Sequence, residues 1–563
     1  EKMTSVNEKP QELAVVLKEP NNELNTSFTN DENIPGVDFS SSTPLANPFE
    51  SRLSSNPSST SSKSFDDDSD DDNDLTQKQK QTTTLFKKTS SSSSSSSSSA
   101  NAQASSSNTN VEKTNDDNNQ RKYADEDCTT ERWHAHHKHV FVFSNAGKPI
   151  YSRYGSESRL SGLTGVLQTI ISFVQDEQDE ILSMTAGNHK FVFCLRGSIY
   201  FVAVTKTGEP TEHIRKNLEY VYAQILSILT SSIDRLFERD ARFDLRNLLG
   251  GTEKVLDSIV SLMDHDPSLF TDAVRCLRLH REVRQQIGNI IQSARSPDML
   301  YAILIAKGQL INLVRPRRHI ILPADLHLIF NFVESSHSFK ASETWTPICL
   351  PQFNKRGYLY AYICYIAPEV CLLLLSTKND SFYELSRCKE SIVKEMNSSA
   401  CLPAIQQALK HQEYSVRDVG IRGLRHFVYL ALVTRQLTQP TMEAPYSTRK
   451  ERKRLFRIYQ NIHHRVSLTG TESISSTKDT TGETLSSSSS KKTSKKKTPS
   501  PHQLYYFVTK YETVFAWTTE SFRLYATFGP LETKSTIISA CNALLRWIKA
   551  EEANLFILNS PVF

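Results

Sequence analysis

Residues 138–155 read KHVFVFSNAGKPIYSRYG, and this stretch decides the fold of the segment that it opens. Two runs rich in β-branched and aromatic residues, Val140 to Ser144 and Pro149 to Arg153, flank the tetrapeptide Asn-Ala-Gly-Lys at 145–148. This pattern predicts two antiparallel strands joined by a tight turn. Apolar residues then recur at three- and four-residue steps, which predicts an amphipathic helix; they are Leu160, Leu163, Leu167, Ile170, Ile171 and Val174.

The same order of elements occurs three times along the chain. In the first unit, three further strands are expected at Ile181 to Thr185, Lys190 to Arg196 and Ile199 to Thr205, followed by a long helix. Similar units begin near Leu300 and near Arg425. The order strand, strand, helix, three strands, helix predicts an α+β fold in which each unit is a five-stranded antiparallel sheet flanked by helices. This is the order of elements in longin and roadblock domains.

Two segments of low complexity interrupt the pattern. Residues 1–125 contain ten consecutive serines and the acidic block Asp66 to Asp74, which predicts a disordered leader that is either a solvated tail or a phosphorylatable regulatory arm. A Ser/Lys-rich insert is expected at 469–501. The predicted domains are therefore 133–295 with extra helices, 298–420, and 424–563 containing the insert.

The bulk composition excludes several classes of protein. Lys and Arg total 66 against 62 Asp and Glu in 563 residues, and this balance argues against a nucleic-acid-binding surface. No apolar stretch reaches the roughly 18 to 20 residues of a transmembrane helix, and no signal sequence opens the chain, although its first residue, Glu1, indicates a trimmed start. The nine cysteines lack metal-binding spacing and are interpreted as reduced thiols of a cytosolic protein.

No motif of covalent catalysis or of cofactor binding is found. His134, His136 and His139 alternate before the first strand, but no Cys or carboxylate ligand pattern accompanies them, so no metal site is predicted. The stretch Gly250-Gly251-Thr252 lacks the Gly-Lys-Ser/Thr ending of a phosphate loop, and no Gly-x-Ser-x-Gly elbow is present. We therefore expect no covalent chemistry and no cofactor.

Several stretches carry a family resemblance. They are Lys138 to Gly155, Ala186 to Phe193, Leu218 to Leu226, Phe243 to Thr252, Gly529 to Lys534, Leu544 to Lys549 and Leu555 to Pro561. In these stretches the chain resembles the SAND family of vacuolar fusion proteins, also called the Mon family after monensin sensitivity. The resemblance covers about Trp133 to Phe563, and the Ser/Lys insert departs from it.

The resemblance implies a function that the composition does not. It implies three longin domains and a heterodimer with a Ccz-type longin subunit that exchanges nucleotide on the Rab GTPase of late endosomes and vacuoles. An early-endosomal Rab would recruit the complex, which would be cytoplasmic and peripherally bound at late endosomes and vacuoles. There it would act in endosome maturation, vacuole fusion and autophagy.

In the family, the first longin domains of the two subunits pair into a platform, and related longin exchange complexes place the first helix against the GTPase. This carries over to Arg159, Ser161, Thr164 and Gln168 on the expected outward helix face, and to Asn145 and Lys148 in the turn.

Two basic clusters in the third unit are candidates for an anionic or phosphoinositide-containing membrane surface. They are Arg449, Lys450, Arg452, Lys453 and Arg454 in a predicted helix, and Lys491, Lys492, Lys495, Lys496 and Lys497 in the insert. A solvated helix face or loop is the alternative. For the whole chain, two other functions remain open: a longin scaffold or tether without exchange activity, and an adaptor that binds cargo peptides.

Overall fold

The computed structural model describes residue 123 and residues 126–240, 243–336, 338–410, 414–475 and 503–563, without the side chains of 468–475 and 503. Apart from Tyr123, the predicted disordered leader lies outside the described residues, and so do the five insert lysines.

The first domain is a five-stranded antiparallel sheet between two helices. Its elements are α1 (Glu131–Ala135), β1 (Lys138–Ser144), β2 (Pro149–Ser152), α2 (Ser161–Asp176), β3 (Ser183–Ala186), β4 (His189–Arg196), β5 (Ile199–Thr205) and α3 (Thr211–Leu229). The strand order is β2-β1-β5-β4-β3. Alternate residues of β1 explain the two layers, since Phe141 and Phe143 pack with the α2 residues Leu167 and Ile171, whereas Val140 and Val142 join the core under α3.

Short helices and one short strand connect the first sheet to the second. They are α4 (Ser232–Arg239), α5 (Arg246–Leu249), α6 (Glu253–Leu262), α7 (Pro267–Thr271), β6 (Val274–Arg275) and α8 (Arg281–Ser293). The helices agree with the extra helices expected within 133–295, and β6 was not expected.

The second domain repeats the arrangement. Its elements are β7 (Met299–Ala306), β8 (Gln309–Val314), α9 (Pro323–Ser335), α10 (Ser338–Ala341), β9 (Thr344–Ile348), β10 (Leu359–Ala367), β11 (Val370–Ser376), α11 (Phe382–Ser398), α12 (Cys401–Lys410) and α13 (Val416–Val419), with sheet order β8-β7-β11-β10-β9. The sequence predicts the third strand of this unit at Pro347 to Phe353, which is too late, because β9 ends at Ile348. After Ile348 the chain turns, because the amides of Phe353 and Asn354 both donate to the carbonyl oxygen of Leu350.

The third domain has six strands instead of the expected five. Its elements are β12 (Leu424–Ala431), β13 (Gln436–Thr438), α14 (Arg449–Ser475), β14 (Gln503–Val508), β15 (Thr513–Thr518), β16 (Phe522–Phe528), α15 (Lys534–Ala550) and α16 (Glu552–Leu555). The sheet order is β14-β15-β16-β12-β13-β6. The sixth strand, β6, runs parallel to β13 and comes from the segment between the first two domains. Helix α14 extends to Ser475, past the predicted start of the insert at 469.

The segment 274–277 connects the second and third sheets. The amide of Val274 donates to the carbonyl oxygen of Arg435 at 2.8 Å, beside β13 of the third sheet. Two residues later Cys276 forms a parallel bridge with Leu310 of β8, and the amide of Leu277 donates to the same residue at 3.0 Å. One extended segment thus pairs with both sheets.

The architecture confirms the predicted class of three antiparallel sheets flanked by helices. All nine cysteines are free thiols. Among the residues that the structure describes, we find no helix with the length and apolar character needed to cross a bilayer.

Candidate functional site on helix α2

Helix α2 packs one face on the first sheet and presents the other to solvent. Leu160, Leu167 and Ile171 are buried against the sheet. The opposite face carries Gly162, Val166, Thr169 and Phe173, spaced by four, three and four residues, which places them in one row along the helix. We call these four residues the α2 stripe. Its two large apolar side chains are unusually accessible, with 59% of Val166 and 71% of Phe173 exposed.

The prediction that Thr164 faces outward is wrong. Only 1% of its side chain is exposed, and its hydroxyl donates to the carbonyl oxygen of Gly147 at 2.8 Å. The helical period explains the error, since Thr164 lies four residues after Leu160 and three before Leu167, both on the buried face. Thr164 therefore joins α2 to the β1–β2 turn and cannot contact a partner.

The other residues predicted on this face differ in their accessibility. Arg159 is exposed but forms an ion pair with Asp127 at 3.2 Å. Ser161 is exposed and donates to the carbonyl oxygen of Ser158. Gln168 is half-buried and donates to the hydroxyl of Ser172 at 2.9 Å, so it lies at the border of the exposed face.

The predicted turn residues are tied into the first domain. The amide of Asn145 donates to the carbonyl oxygen of Ser198, and the Lys148 ammonium group forms a 3.0 Å ion pair with Asp244. Hydrogen bonds and the charge of Arg246, together with Lys148, hold the pKa of the Asp244 carboxyl well below its usual range. The turn is thus a fixed neighbour of α2.

Strand β3 is an open edge of the first sheet. It pairs with β4 on one side, and no described strand pairs with its other side. Ser183, Thr185 and Ala186 are exposed, as is Leu182 just before the strand. An unpaired edge of this kind offers backbone donors and acceptors to a strand of another chain.

The basic cluster at the start of α14 divides into two groups. Arg454 makes two hydrogen-bonded contacts with the fully buried carboxylate of Glu512, and its guanidinium lies 5.0 Å from the centre of the Tyr511 ring. These contacts raise the Arg454 pKa and make it a structural residue, which corrects its assignment to the membrane group. Arg449, Lys450 and Arg452 are exposed, and Lys453 is half-buried.

The two histidines His136, just before β1, and His139, within β1, serve packing. His139 is buried beside Trp133, at 4.1 Å between ring centres, and burial lowers its pKa to about 3. His136 stacks on Tyr154 at 3.6 Å and contacts the Glu126 carboxylate at 2.8 Å. Over the described part of the chain, no group of three or more His, Cys, Asp or Glu side chains is arranged to hold a metal ion.

Three family models match the chain, described as the first, second and third longin domains of FUZ, MON1 and HPS1, at residues 138–259, 297–394 and 423–552. Vacuolar fusion protein MON1 homolog A of Gallus gallus is 39% identical over 442 residues, which cover 78% of this chain and 75% of that protein. The chain belongs to the MON1/SAND family. Protein SAND of Takifugu rubripes is 36% identical over 78% of this chain and 80% of its own length, and human MON1 homolog B is 36% identical over 78% of each.

Membership in the MON1/SAND family confirms the resemblance predicted from the sequence and the three longin domains. It also indicates a role in vesicle trafficking and vacuole fusion. Within the matched first longin domain, the α2 stripe is a feature that sequence reasoning missed. The sequence does carry the signal, because Val166 and Phe173 lie outside the buried row that begins at Leu160.

Proposed function

We propose that this chain is one subunit of a guanine-nucleotide exchange factor for the late-endosomal and vacuolar Rab GTPase, and that the α2 stripe contacts the GTPase. The observation that carries the proposal is the exposure of Val166 and Phe173 on one face of α2. Large apolar side chains exposed together mark surfaces that bind another protein. The polar neighbours Arg159 and Ser161 lie at the start of the same helix.

The proposed activity forms and breaks no covalent bond. An exchange factor favours the nucleotide-free GTPase by displacing the switch segment that holds the phosphates and Mg²⁺. Accelerating GDP release about 10⁵-fold requires a barrier lower by roughly 7 kcal/mol, which is within the roughly 12 kcal/mol of binding free energy of a nanomolar protein complex. A helix face with two exposed apolar side chains and polar residues at one end is suited to this purpose, and no general base is needed.

The proposal includes a Ccz-type longin subunit as the partner. The first sheet has two edge strands, β2 and β3. β2 is buried, whereas β3 is exposed and offers backbone hydrogen-bonding groups to a strand of another chain, which supports this partner. Pairing of two longin sheets through such an edge would extend the first sheet and leave the α2 stripe accessible.

Membrane attachment is proposed for the exposed cations at the start of α14. Lys450 and Arg452 project into solvent, and each cation near an anionic surface contributes about 1 kcal/mol. Recruitment by an early-endosomal Rab, and action at late endosomes and vacuoles, are further parts of the same proposal.

The test is release of a fluorescent GDP analogue from the late-endosomal Rab by the co-expressed dimer. The variant V166D/F173D should slow release by about tenfold or more, because two charges would be desolvated at the contact. V433D is the matched control, since Val433 is an exposed apolar residue between β12 and β13 of the third domain. Normal release by V166D/F173D would move the site off α2. A dimer that releases no GDP before any substitution would favour the scaffold or tether.

A further inference from the structure

Thr230 has a backbone conformation that is ordinarily reserved for glycine. It follows α3 with φ 61° and ψ 178°, and its side chain is buried. In this region the Cβ atom of an L-residue is crowded, so a β-branched residue persists there only where its surroundings hold it. The Thr230 hydroxyl contributes to this by donating to the Ser232 hydroxyl and accepting from the Ser232 amide.

The rest of the constraint comes from the second domain. Its loop 349–358, between β9 and β10, makes three hydrogen bonds within three residues of Thr230. The Cys349 amide donates to the carbonyl oxygen of Ser227 at 2.8 Å. The Tyr358 hydroxyl donates to the carbonyl oxygen of Ile228 at 3.1 Å. In the other direction, the Ser231 amide donates to the carbonyl oxygen of Lys355 at 2.9 Å. Two of these bonds satisfy carbonyl groups at the end of α3 that have no partner within the helix. We call residues 349–358 the capping loop.

The capping loop is itself anchored in the second domain. The buried carboxylate of Asp325, in the first turn of α9, accepts from the amides of Gln352 and Phe353 at 3.1 and 3.0 Å. The capping loop should therefore move together with α9. If the second domain shifts, the loop pulls on the end of α3.

A continuous series of contacts leads from Thr230 to α2. Helix α4 starts two residues after Thr230, and its end contacts the next segment through the rings of Phe237 and Phe243, 6.3 Å apart. The following residue, Asp244, forms the 3.0 Å ion pair with Lys148. The preceding turn residue, Gly147, accepts the hydrogen bond from Thr164 of α2.

We infer that the capping loop positions α2 through the strained joint at Thr230. With the loop in place, Thr230 is held in its strained conformation and α4 keeps the turn at 145–148 against α2. When the loop withdraws, Thr230 relaxes to an ordinary conformation, α4 turns, and the ion pair of Asp244 with Lys148 carries the movement to α2. An effect of the capping loop on nucleotide exchange rests on the proposed function of α2. The mechanical coupling between the capping loop and α2 does not depend on that function.

The coupling is tested by amide hydrogen exchange of the full chain, purified as it is expressed, with Y358F, T230G and the double variant. Y358F removes one capping bond and should speed exchange about fivefold, the factor expected for one net hydrogen bond, in 227–240 and also in 145–149 and 160–165. T230G should slow exchange in 227–231 and 233–240, since glycine adopts this conformation without strain. The Ser232 amide is left out of this comparison, because T230G removes its acceptor, the Thr230 hydroxyl. In the T230G background, Y358F should no longer affect 145–149 and 160–165, because the joint stores no strain to release.

A400G is the matched control, because Ala400 also has a positive φ, of 55°, but lies between α11 and α12, away from this series of contacts. In the A400G background the remote effect of Y358F should be undiminished. A Y358F effect confined to 227–240, or equal with and without T230G, would overturn the inference. GDP release by the same variants is read separately. Altered amide exchange at 160–165 with unchanged GDP release would support the coupling and count against α2 as the GTPase contact.

Discussion

Arg284 of α8 donates a 3.0 Å hydrogen bond to the carbonyl oxygen of Asn554, which is 270 residues further along the chain. The same guanidinium binds the carbonyl oxygens of Leu277 at 2.8 Å and Ile311 at 2.9 Å, and it is buried. Burial lowers the Arg284 pKa. Its donors therefore join the connecting segment, β8 of the second domain and the end of the third domain through backbone oxygens alone.

We expect R284M to lower the free energy of unfolding by about 3 kcal/mol, because the buried carbonyl groups of Leu277 and Ile311 lose this donor. The Asn554 carbonyl keeps the amide of Leu279 as a donor. Urea unfolding of the full chain measures this. R278M is the control, since Arg278 forms a more exposed pair with Glu551 and should cost about 1 kcal/mol or less. Equal losses in the two variants would show that Arg284 does not join the domains.

Stability should fall steeply on mild acidification. Burial lowers the pKa of His139, His213 and His426 to about 3, well below the unfolded value of about 6.5. The unfolded chain then binds more protons than the folded chain between these values, so stability is full above pH 6.5 and is lost as pH falls toward 3. Each histidine should cost about 2 kcal/mol between pH 7 and pH 5.

Urea unfolding at pH 7 and at pH 5 measures this dependence. H426Q should reduce it by one histidine's share, whereas H137Q, at an exposed side chain, should leave it unaltered. A dependence that is the same in H426Q as in the unsubstituted chain would contradict the assignment of a buried neutral histidine at 426.

The two groups of cations in α14 should respond differently to substitution. R454A leaves the buried Glu512 carboxylate without its cation and should cost about 3 to 5 kcal/mol of stability. K450S/R452S should leave the free energy of unfolding within about 0.5 kcal/mol of its original value and reduce sedimentation with anionic vesicles. Vesicle binding that survives K450S/R452S would remove the start of α14 from the proposed membrane surface.

The insert lysines allow a separate test. Replacing Lys491, Lys492, Lys495, Lys496 and Lys497 by Ser should weaken binding to anionic vesicles while GDP release in solution stays the same. Binding should also fall steeply with added salt, since the attraction acts within a Debye length of about 8 Å at physiological ionic strength. Binding that responds neither to salt nor to this replacement would leave the insert as a solvated loop.

Long, strongly patterned elements were predictable from the sequence. Strand β5, for example, has the expected bounds Ile199 to Thr205, because its apolar run is preceded by Gly197 and Ser198 and followed by a Gly-containing turn. β13 and β6 were missed because they have three and two residues and are strands only through tertiary pairing. No local pattern distinguishes such segments from loops.

The candidate site was predictable as a helix but not as a surface. The resemblance identified α2, and the period of its apolar residues gave the buried face. Thr164 was misplaced because its hydroxyl bonds to a carbonyl oxygen seventeen positions earlier in the chain, a contact that exists only after the β1–β2 turn has folded beside the helix. The capping of the end of α3 by the loop 349–358 likewise could not be predicted, because these residues lie more than 100 positions away from Thr230 in the chain.

The extended segment 274–277 has a consequence for dissecting the molecule. A fragment that begins at the second longin domain would lack Val274 and Arg275, so the third sheet would lose its edge strand β6. The same fragment would lack Cys276, which pairs with Leu310 at the edge of the second sheet. Cutting the chain after the first longin domain therefore damages the two domains that follow it. A fragment that contains the second and third domains therefore has to begin before Val274 if both sheets are to stay whole.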